Sequence, residues 1–350
     1  MKWVYRLTAL SLLLMAALVT LARRDSSGAW IAFAAVHNDA PAIFLMTGDG
    51  GSVQNITPDV LCASGPRWSP DGKWITFQNL CRTTPEILRV RVGGSTARVL
   101  STGVYHWLSP DGARLLVWRA GYGYYTMNLD GSGERYLGDN DDFHIWSADS
   151  AWIYTRRYAT DLIRIHAETG HIETVIPDRN LTPASWSPDG MQLLMIQRGS
   201  DSDKLFVMRH GTPREIQTGL PPVHFFEPQW SPDGEWIAFM AGGSFYPSQI
   251  YRMRADGSDA HQVIGQSQRI SRLQWSPDGE WLLFHEIHGG GSDILRVRVD
   301  GSIIENLTPG PGESYAAQYA PLSGLEWRPF WVTIAALGMM LLSLMRRFYP

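Results

Sequence analysis

Short apolar runs recur along the middle of the chain, and turns rich in Gly, Pro, Asp and Ser separate them. Three of these runs are Trp74-Ile-Thr-Phe77, Trp236-Ile-Ala-Phe239 and Trp281-Leu-Leu-Phe284. Short runs of β-branched and aromatic residues between turn residues predict strands rather than helices. The middle of the chain is therefore expected to be all-β.

One turn motif, Trp-Ser-Pro-Asp-Gly or a close variant, occurs six times. The copies are residues 68–72, 108–112, 146–150, 186–190, 230–234 and 275–279, and their aspartates are 40, 38, 40, 44 and 45 residues apart. Pro and Gly adopt turn conformations readily, and the Asp side chain accepts hydrogen bonds from nearby backbone N–H groups. A period of this length predicts four-stranded β-propeller blades, whose strands we label a to d. The aspartates are thus interpreted as turn residues.

The two ends of the repeat region complete each other. The first unit begins at residues 29–33, which match a strand b, so that unit has no strand a of its own. Residues 316–324 align with 227–234 and are interpreted as a degenerate strand a with its turn. We therefore predict a seven-bladed β-propeller over residues 29–324. It is closed by pairing of the N- and C-terminal strands in blade one, which removes an exposed sheet edge.

Apolar segments at both ends of the chain indicate a membrane. Residues 1–24 contain an uncharged stretch from Leu7 to Ala22 and are either a membrane anchor or a cleaved signal peptide. Residues 329–345 are uncharged and are predicted to form a transmembrane helix. Arg346 and Arg347 follow that helix, which favours a cytoplasmic C-terminus and an extracytoplasmic propeller.

The charge distribution argues against nucleic acid as a partner. Of the 30 Lys and Arg residues, seven lie in residues 1–24 and 328–350, where no acid occurs, so the middle carries 23 bases against 34 acids, a net −11. An acidic domain repels a phosphate backbone. The sequence shows no phosphate-cradling loop and no nucleophile–base pair, so neither a cofactor nor a metal is predicted.

The Trp-Ser-Pro-Asp-Gly repeats resemble those of TolB-type propellers, which also occur in prolyl-oligopeptidase-like peptidases. The resemblance covers about residues 29–324 and implies a propeller fold, often in an extracytoplasmic setting. It does not imply one activity. The Gly-x-Ser-x-Gly elbow of the hydrolase domain in those peptidases is absent from this sequence.

Candidate ligand-binding residues are predicted in the b–c and d–a loops, at the face opposite the repeated turns. Such loops converge near the axis of a propeller. Cys62 and Cys81 lie in loops of this same face and form a candidate disulfide. The candidate ligand residues are Tyr105, His106, His144, Arg156, Arg198, His224, Phe226, Tyr246, His285 and His288.

These features favour a membrane-anchored, extracytoplasmic binding or scaffold module of the cell envelope rather than an enzyme. Its partner would be a protein, a peptide or a glycan bound on the face away from the membrane. The alternative is an enzyme that acts on an envelope polysaccharide or peptide through histidines and arginines of that face.

Overall fold

The computed structural model describes residues 29–37, 39–139, 144–157, 160–243, 247–265, 269–289, 291–309 and 312–321. The predicted terminal segments, residues 1–24 and 329–345, lie outside these ranges. In the part of the chain that is described, no helix is long and apolar enough to cross a bilayer.

The described residues form 28 strands. In chain order these are β1 Trp30–His37, β2 Ala40–Thr47, β3 Gln54–Asn55, β4 Ala63–Trp68, β5 Trp74–Asn79, β6 Glu86–Arg91, β7 Arg98–Thr102, β8 Tyr105–Leu108, β9 Arg114–Arg119, β10 Gly123–Asn128, β11 Arg135–Gly138, β12 Ile145–Trp146, β13 Trp152–Arg157, β14 Asp161–His166, β15 Ile172–Ile176, β16 Leu181–Trp186, β17 Gln192–Gln197, β18 Lys204–Arg209, β19 Thr212–Ile216, β20 His224–Trp230, β21 Trp236–Gly242, β22 Pro247–Arg254, β23 His261–Ile264, β24 Arg269–Trp275, β25 Trp281–His288, β26 Gly291–Arg298, β27 Ile304–Asn306 and β28 Gly312–Tyr319. Blades two to seven each take four consecutive strands, from β4–β7 to β24–β27, whereas blade one consists of β28, β1, β2 and β3.

The ring is closed by β28, the last described strand. It pairs antiparallel with β1, so that Ile31 lies opposite Tyr319 and Ala35 opposite Ser314. It thereby supplies the inner strand of blade one. The all-β, seven-bladed propeller is confirmed, and the free edge that β1 would expose is covered.

The two faces of the disc differ in their loops. The turn face carries the six repeated turns, and the loop face carries the b–c and d–a loops. The described chain begins and ends on the turn face, where the Ala320 N–H donates to the Trp30 carbonyl at 2.7 Å.

The repeated turns share one hydrogen-bond pattern. In blade two the Ser69 hydroxyl donates to Asp71 at 2.6 Å and accepts from the Trp74 N–H at 2.9 Å. Asp71 also accepts from the Lys73 N–H at 3.1 Å. The same serine–aspartate bond recurs in the other five copies. These aspartates therefore hold turns, as the repeat predicts.

The core lies between neighbouring blades, and the motif tryptophans join the inner strands. Three such indoles donate to a carbonyl of the preceding blade: Trp68 to Gln318 at 3.0 Å, Trp275 to Gln229 at 3.3 Å and Trp146 to Trp107 at 3.4 Å. Blade two is thus bonded directly to β28. The closing strand consequently anchors its neighbour as well as completing its own sheet.

Replacing Ala317 by Pro should destabilise the ring. The Ala317 N–H donates to the imidazole Nε2 of His285 in blade seven at 3.1 Å, and proline would leave that buried acceptor unsatisfied. We expect a loss of about 2 kcal/mol or more in the free energy of unfolding, measured by urea denaturation.

The matched control is Ala316→Gly. Ala316 has φ 55°, which glycine adopts readily, and its N–H is retained. This variant should unfold close to wild type. An unchanged midpoint for Ala317→Pro would show that β28 is not needed for stability.

Candidate ligand-binding site

A cavity of about 860 Å³ lies near the propeller axis, toward the loop face. The inner strands of blades five, six and seven form most of its wall, and Arg67 and Trp107 of blades two and three complete it. This volume lies within the range of small-molecule and peptide-side-chain sites. The lining residues include Pro183, Trp186, Ile196, Arg198, Phe226, Glu227, Gln229, Trp230, Arg269, Ile270 and Ile287.

The cavity lies where two inter-blade bonds are missing. Trp186 and Trp230 occupy the same motif position as the bridging tryptophans, but their buried indole N–H groups have no partner among the described residues. Both indoles line the cavity. Blades five and six are joined here by a different group, the Ser185 hydroxyl, which donates to the Pro228 carbonyl at 3.1 Å.

The charged groups of the cavity wall are mainly arginines. Glu227 accepts a hydrogen bond from the Leu273 N–H at 2.9 Å. Burial raises the pKa of Glu227, and the nearby positive charge of Arg272 opposes that rise. Arg67 places its guanidinium carbon 5.4 Å from the centre of the Trp107 ring. Burial, together with the charge of Arg272, lowers the pKa of Arg67 to about 10, so it remains a cation at neutral pH.

Three of the predicted residues meet around one buried carboxylate at the cavity rim. Asp203 accepts from Arg198 at 2.5 Å and lies 3.2 Å from the Nδ1 of His224. It also accepts from the backbone N–H groups of Gly199 and Phe225. Arg198 in turn lies 5.5 Å from the Phe226 ring centre. Asp203 thus fixes the direction of the Arg198 side chain.

Sequence reasoning missed Asp203, Arg67, Glu227 and Arg272. Asp203 lies in a polar Asp-Ser-Asp loop that resembles an ordinary solvated loop. The other three lie within the inner strands rather than in the b–c and d–a loops. An alignment of the inner strands with one another would have indicated these three, because they are charged where the equivalent residues of other blades are small or carry an amide.

The remaining predicted surface residues are dispersed around the loop face. Tyr105 is 49% exposed and lies beside Trp107. The other placements are His144 stacked on Tyr124, Arg156 hydrogen-bonded to Asn180, and His288 at 3.6 Å from Asp293. Tyr246 lies outside the described residues.

His106 and His285 are corrections to the prediction, because both are buried inside the ring. His106 is 0% exposed and its Nε2 lies 2.8 Å from the Thr76 hydroxyl of blade two. His285 is 3% exposed and accepts from β28. They were assigned to loops because strand ends are uncertain in sequence, whereas they lie within β8 and β25.

The structure joins Cys62 and Cys81 through a disulfide, with their Cα atoms 5.6 Å apart. The bond ties the loop between blades one and two to the b–c loop of blade two, on the loop face. Among the described residues, no three His, Cys, Asp or Glu side chains converge in a way that could hold a metal ion.

Comparisons with known proteins agree with this fold. Residues 146–321, just over half of the chain, match the TolB beta propeller domain. TolB from Acinetobacter baumannii superposes with a TM-score of 0.57 at 15% identity, over 85% of this chain and 68% of TolB. No curated protein matches the sequence.

Two archaeal peptidase structures are similar as well. Acylaminoacyl peptidase from Pyrococcus horikoshii aligns with a TM-score of 0.60 at 15% identity, over 80% of this chain but only 50% of the peptidase. The β-propeller domain of the Trilobed protease from Pyrococcus furiosus, described as having an open velcro topology, gives 0.61 at 14% identity over 80% and 92%. Identities this low establish the fold alone. The closed ring described here differs from that open topology.

The two buried histidines predict a pH-dependent stability. Burial holds the pKa of His285 at about 3 and that of His106 well below its ordinary value of 6.5, so both are neutral when folded. The unfolded chain takes up protons below about pH 6.5, whereas the folded chain does not. Stability is therefore complete above that pH and falls as the pH drops toward 3.

At about pH 5 His285 should lower the free energy of unfolding by about 2 kcal/mol relative to neutral pH, and His106 should lower it further in the same direction, measured by urea denaturation. His285→Gln keeps an acceptor but cannot titrate, so it should flatten part of the slope. The exposed His37→Gln should leave the slope unchanged. Equal stability at both pH values in the wild type would contradict the assignment.

Proposed function

Because this chain belongs to the TolB β-propeller domain family, we propose that it is a non-catalytic binding module of the cell envelope. Its loop face would bind a protein partner. The observation that carries this proposal is the cavity near the axis, which combines an apolar wall with arginines. Such a combination is typical of recognition sites, in which a few polar groups orient a ligand on an apolar surface.

The proposal includes a membrane anchor on the opposite side. The described chain begins and ends on the turn face, and in the sequence the apolar segments of residues 1–24 and 329–345 precede and follow it. Anchoring through either segment would hold the turn face toward the bilayer and leave the loop face free. The Cys62–Cys81 disulfide supports an oxidising, extracytoplasmic compartment.

A catalytic role has less support. The enzyme alternative depends on histidines of the loop face, and two of these, His106 and His285, are buried and held neutral by the fold. His224 is engaged with Asp203 beside Arg198. The similarity to peptidases is one of fold, and it covers half of the acylaminoacyl peptidase chain.

A photo-crosslinker on the loop face should capture the partner in intact cells. Tyr105 is 49% exposed on the inner strand of blade three, and Tyr136 is 50% exposed on the outer strand of the same blade. Replacing Tyr105 by p-benzoylphenylalanine should give one discrete protein adduct. The same replacement at Tyr136 is the matched control and should give none.

The adduct would be identified by mass spectrometry, and turnover of envelope peptides and polysaccharides would be assayed in parallel. An adduct at Tyr136 but not at Tyr105 would move recognition to the rim of the disc. Turnover that disappears in His224→Ala with folding intact would favour the enzyme.

A further inference from the structure

In three of the seven blades, the residue before the motif tryptophan or its equivalent is a glutamine. In blades six, seven and one this residue is Gln229, Gln274 or Gln318. Each of these amides bonds to the backbone of the next blade: Gln229 to the Leu273 carbonyl, Gln274 to the Tyr319 N–H at 2.9 Å and Gln318 to the Trp68 N–H at 3.1 Å. Glutamine at this position therefore joins consecutive blades.

Blades three and four carry Trp107 and Ile145 at this position, and Ser185 of blade five donates to the Pro228 carbonyl of blade six at 3.1 Å. Arg67 of blade two makes no hydrogen bond to the described residues of the next blade. Its guanidinium has no hydrogen-bond acceptor and no carboxylate partner within the described part of the chain, and its one aromatic contact is Trp107. It also lies near His106, which is neutral, and near the positive charge of Arg272. Arg67 is half-buried in the cavity wall, and a partly desolvated cation without a counterion is unfavourable for stability. No hydrogen bond or ion pair of the described residues therefore accounts for an arginine at this position.

Arg272 is a second cation beside the cavity. It lies on the inner strand of blade seven with φ 59°, and the equivalent residues Gly65, Glu227 and Ala316 share this left-handed conformation, so it belongs to a bulge of the fold. Arg272 is exposed, and no ion pair of its side chain occurs among the described residues. Its backbone neighbour Leu273 donates to Glu227 in the cavity wall at 2.9 Å.

The charge of the cavity is opposite to that of the domain around it. The middle of the chain has a net charge of −11, from 23 bases and 34 acids. The cavity wall contains Arg67, Arg198 and Arg269 and the carboxylate of Glu227, and Asp203 at the rim pairs with Arg198. Arg272 lies beside this wall and adds a positive charge near Arg67 and Glu227. An enclosed group of cations with low-dielectric walls attracts anions strongly.

We infer that this cavity binds an acidic peptide segment of the protein partner, with a carboxylate on Arg67 and Arg272 and a neighbouring apolar side chain against Phe226 and Ile270. This inference rests on the proposed binding function. Guanidinium groups bind carboxylates through paired, charge-assisted hydrogen bonds. The apolar part of the wall includes Ile196, Met240 and Ile287, and this aliphatic character suits an amino-acid side chain better than a sugar ring.

A randomised heptapeptide library displayed on phage tests the inference with the full chain in detergent. The selected peptides should be enriched in Asp or Glu beside an apolar residue, and their binding should weaken as salt is added. Their dissociation constants, measured by fluorescence anisotropy, should rise about 10- to 100-fold in each arginine variant.

The variants are chosen so that the fold is retained. Arg67→Gln introduces the residue that blades six, seven and one use at this position, and Arg272→Gly introduces the residue of blade two. Both should unfold at or above the wild-type urea midpoint while losing peptide affinity. Arg91→Gln makes the same charge change at an exposed position of the turn face and should bind as wild type.

The possible outcomes separate the inference from the function on which it rests. Neutral or basic peptides that compete at the cavity would overturn the acidic ligand and leave the binding module intact. Acidic peptides that bind Arg67→Gln and Arg272→Gly as tightly as wild type would place recognition elsewhere. Failure to select any peptide would overturn both proposals, and binding of trigalacturonic acid in that case would identify a glycan site instead.

Discussion

The structure depends on one constraint: β28 must occupy the inner edge of blade one. It is held there from both sides of the ring. Blade seven bonds to it through His285 and Gln274, and blade two bonds to it through the Trp68 indole and the Gln318 side chain. If β28 left this position, the edge of β1 would be exposed and the hydrogen bonds to blades two and seven would be lost. Closure is therefore a cooperative property of three blades rather than a local strand pairing.

The inner strands explain which blades form most of the cavity wall. Where tryptophan and glutamine side chains join consecutive blades, the wall of the ring is continuous. Trp186 and Trp230 lack those bonds, and Arg67 replaces a glutamine. The cavity is bounded by these three residues. The motif tryptophan position and the position before it thus join blades in part of the ring and present side chains to the cavity in another part.

The fold could be predicted because its determinants are local and repeated. Each turn is specified within five residues, and the serine–aspartate bond recurs in all six copies. The site depends on contacts between blades, which a repeat period does not reveal. His106 and His285 were expected in loops, but both belong to strands whose partners are Thr76 and Ala317, about thirty residues distant in the sequence. Arg198 and Phe226 were predicted only as separate residues of the loop face; their contact, and the buried Asp203 that holds Arg198, depend on packing that loop composition does not reveal.

Closure at the turn face also determines what the loop face can do. Because the described chain enters and leaves on the turn face, no continuation of it needs to cross the mouth of the cavity. The inner strands that form the wall are held by backbone ladders on one side and by neighbouring blades on the other, so the cavity is preorganised before a ligand arrives. Arg67 lines this wall, and the exposed Arg272 lies beside it; neither side chain has an ion pair among the described residues. Cations of this kind in an otherwise self-consistent repeat are where function is expected, since the hydrogen bonds that close the ring do not involve their side chains.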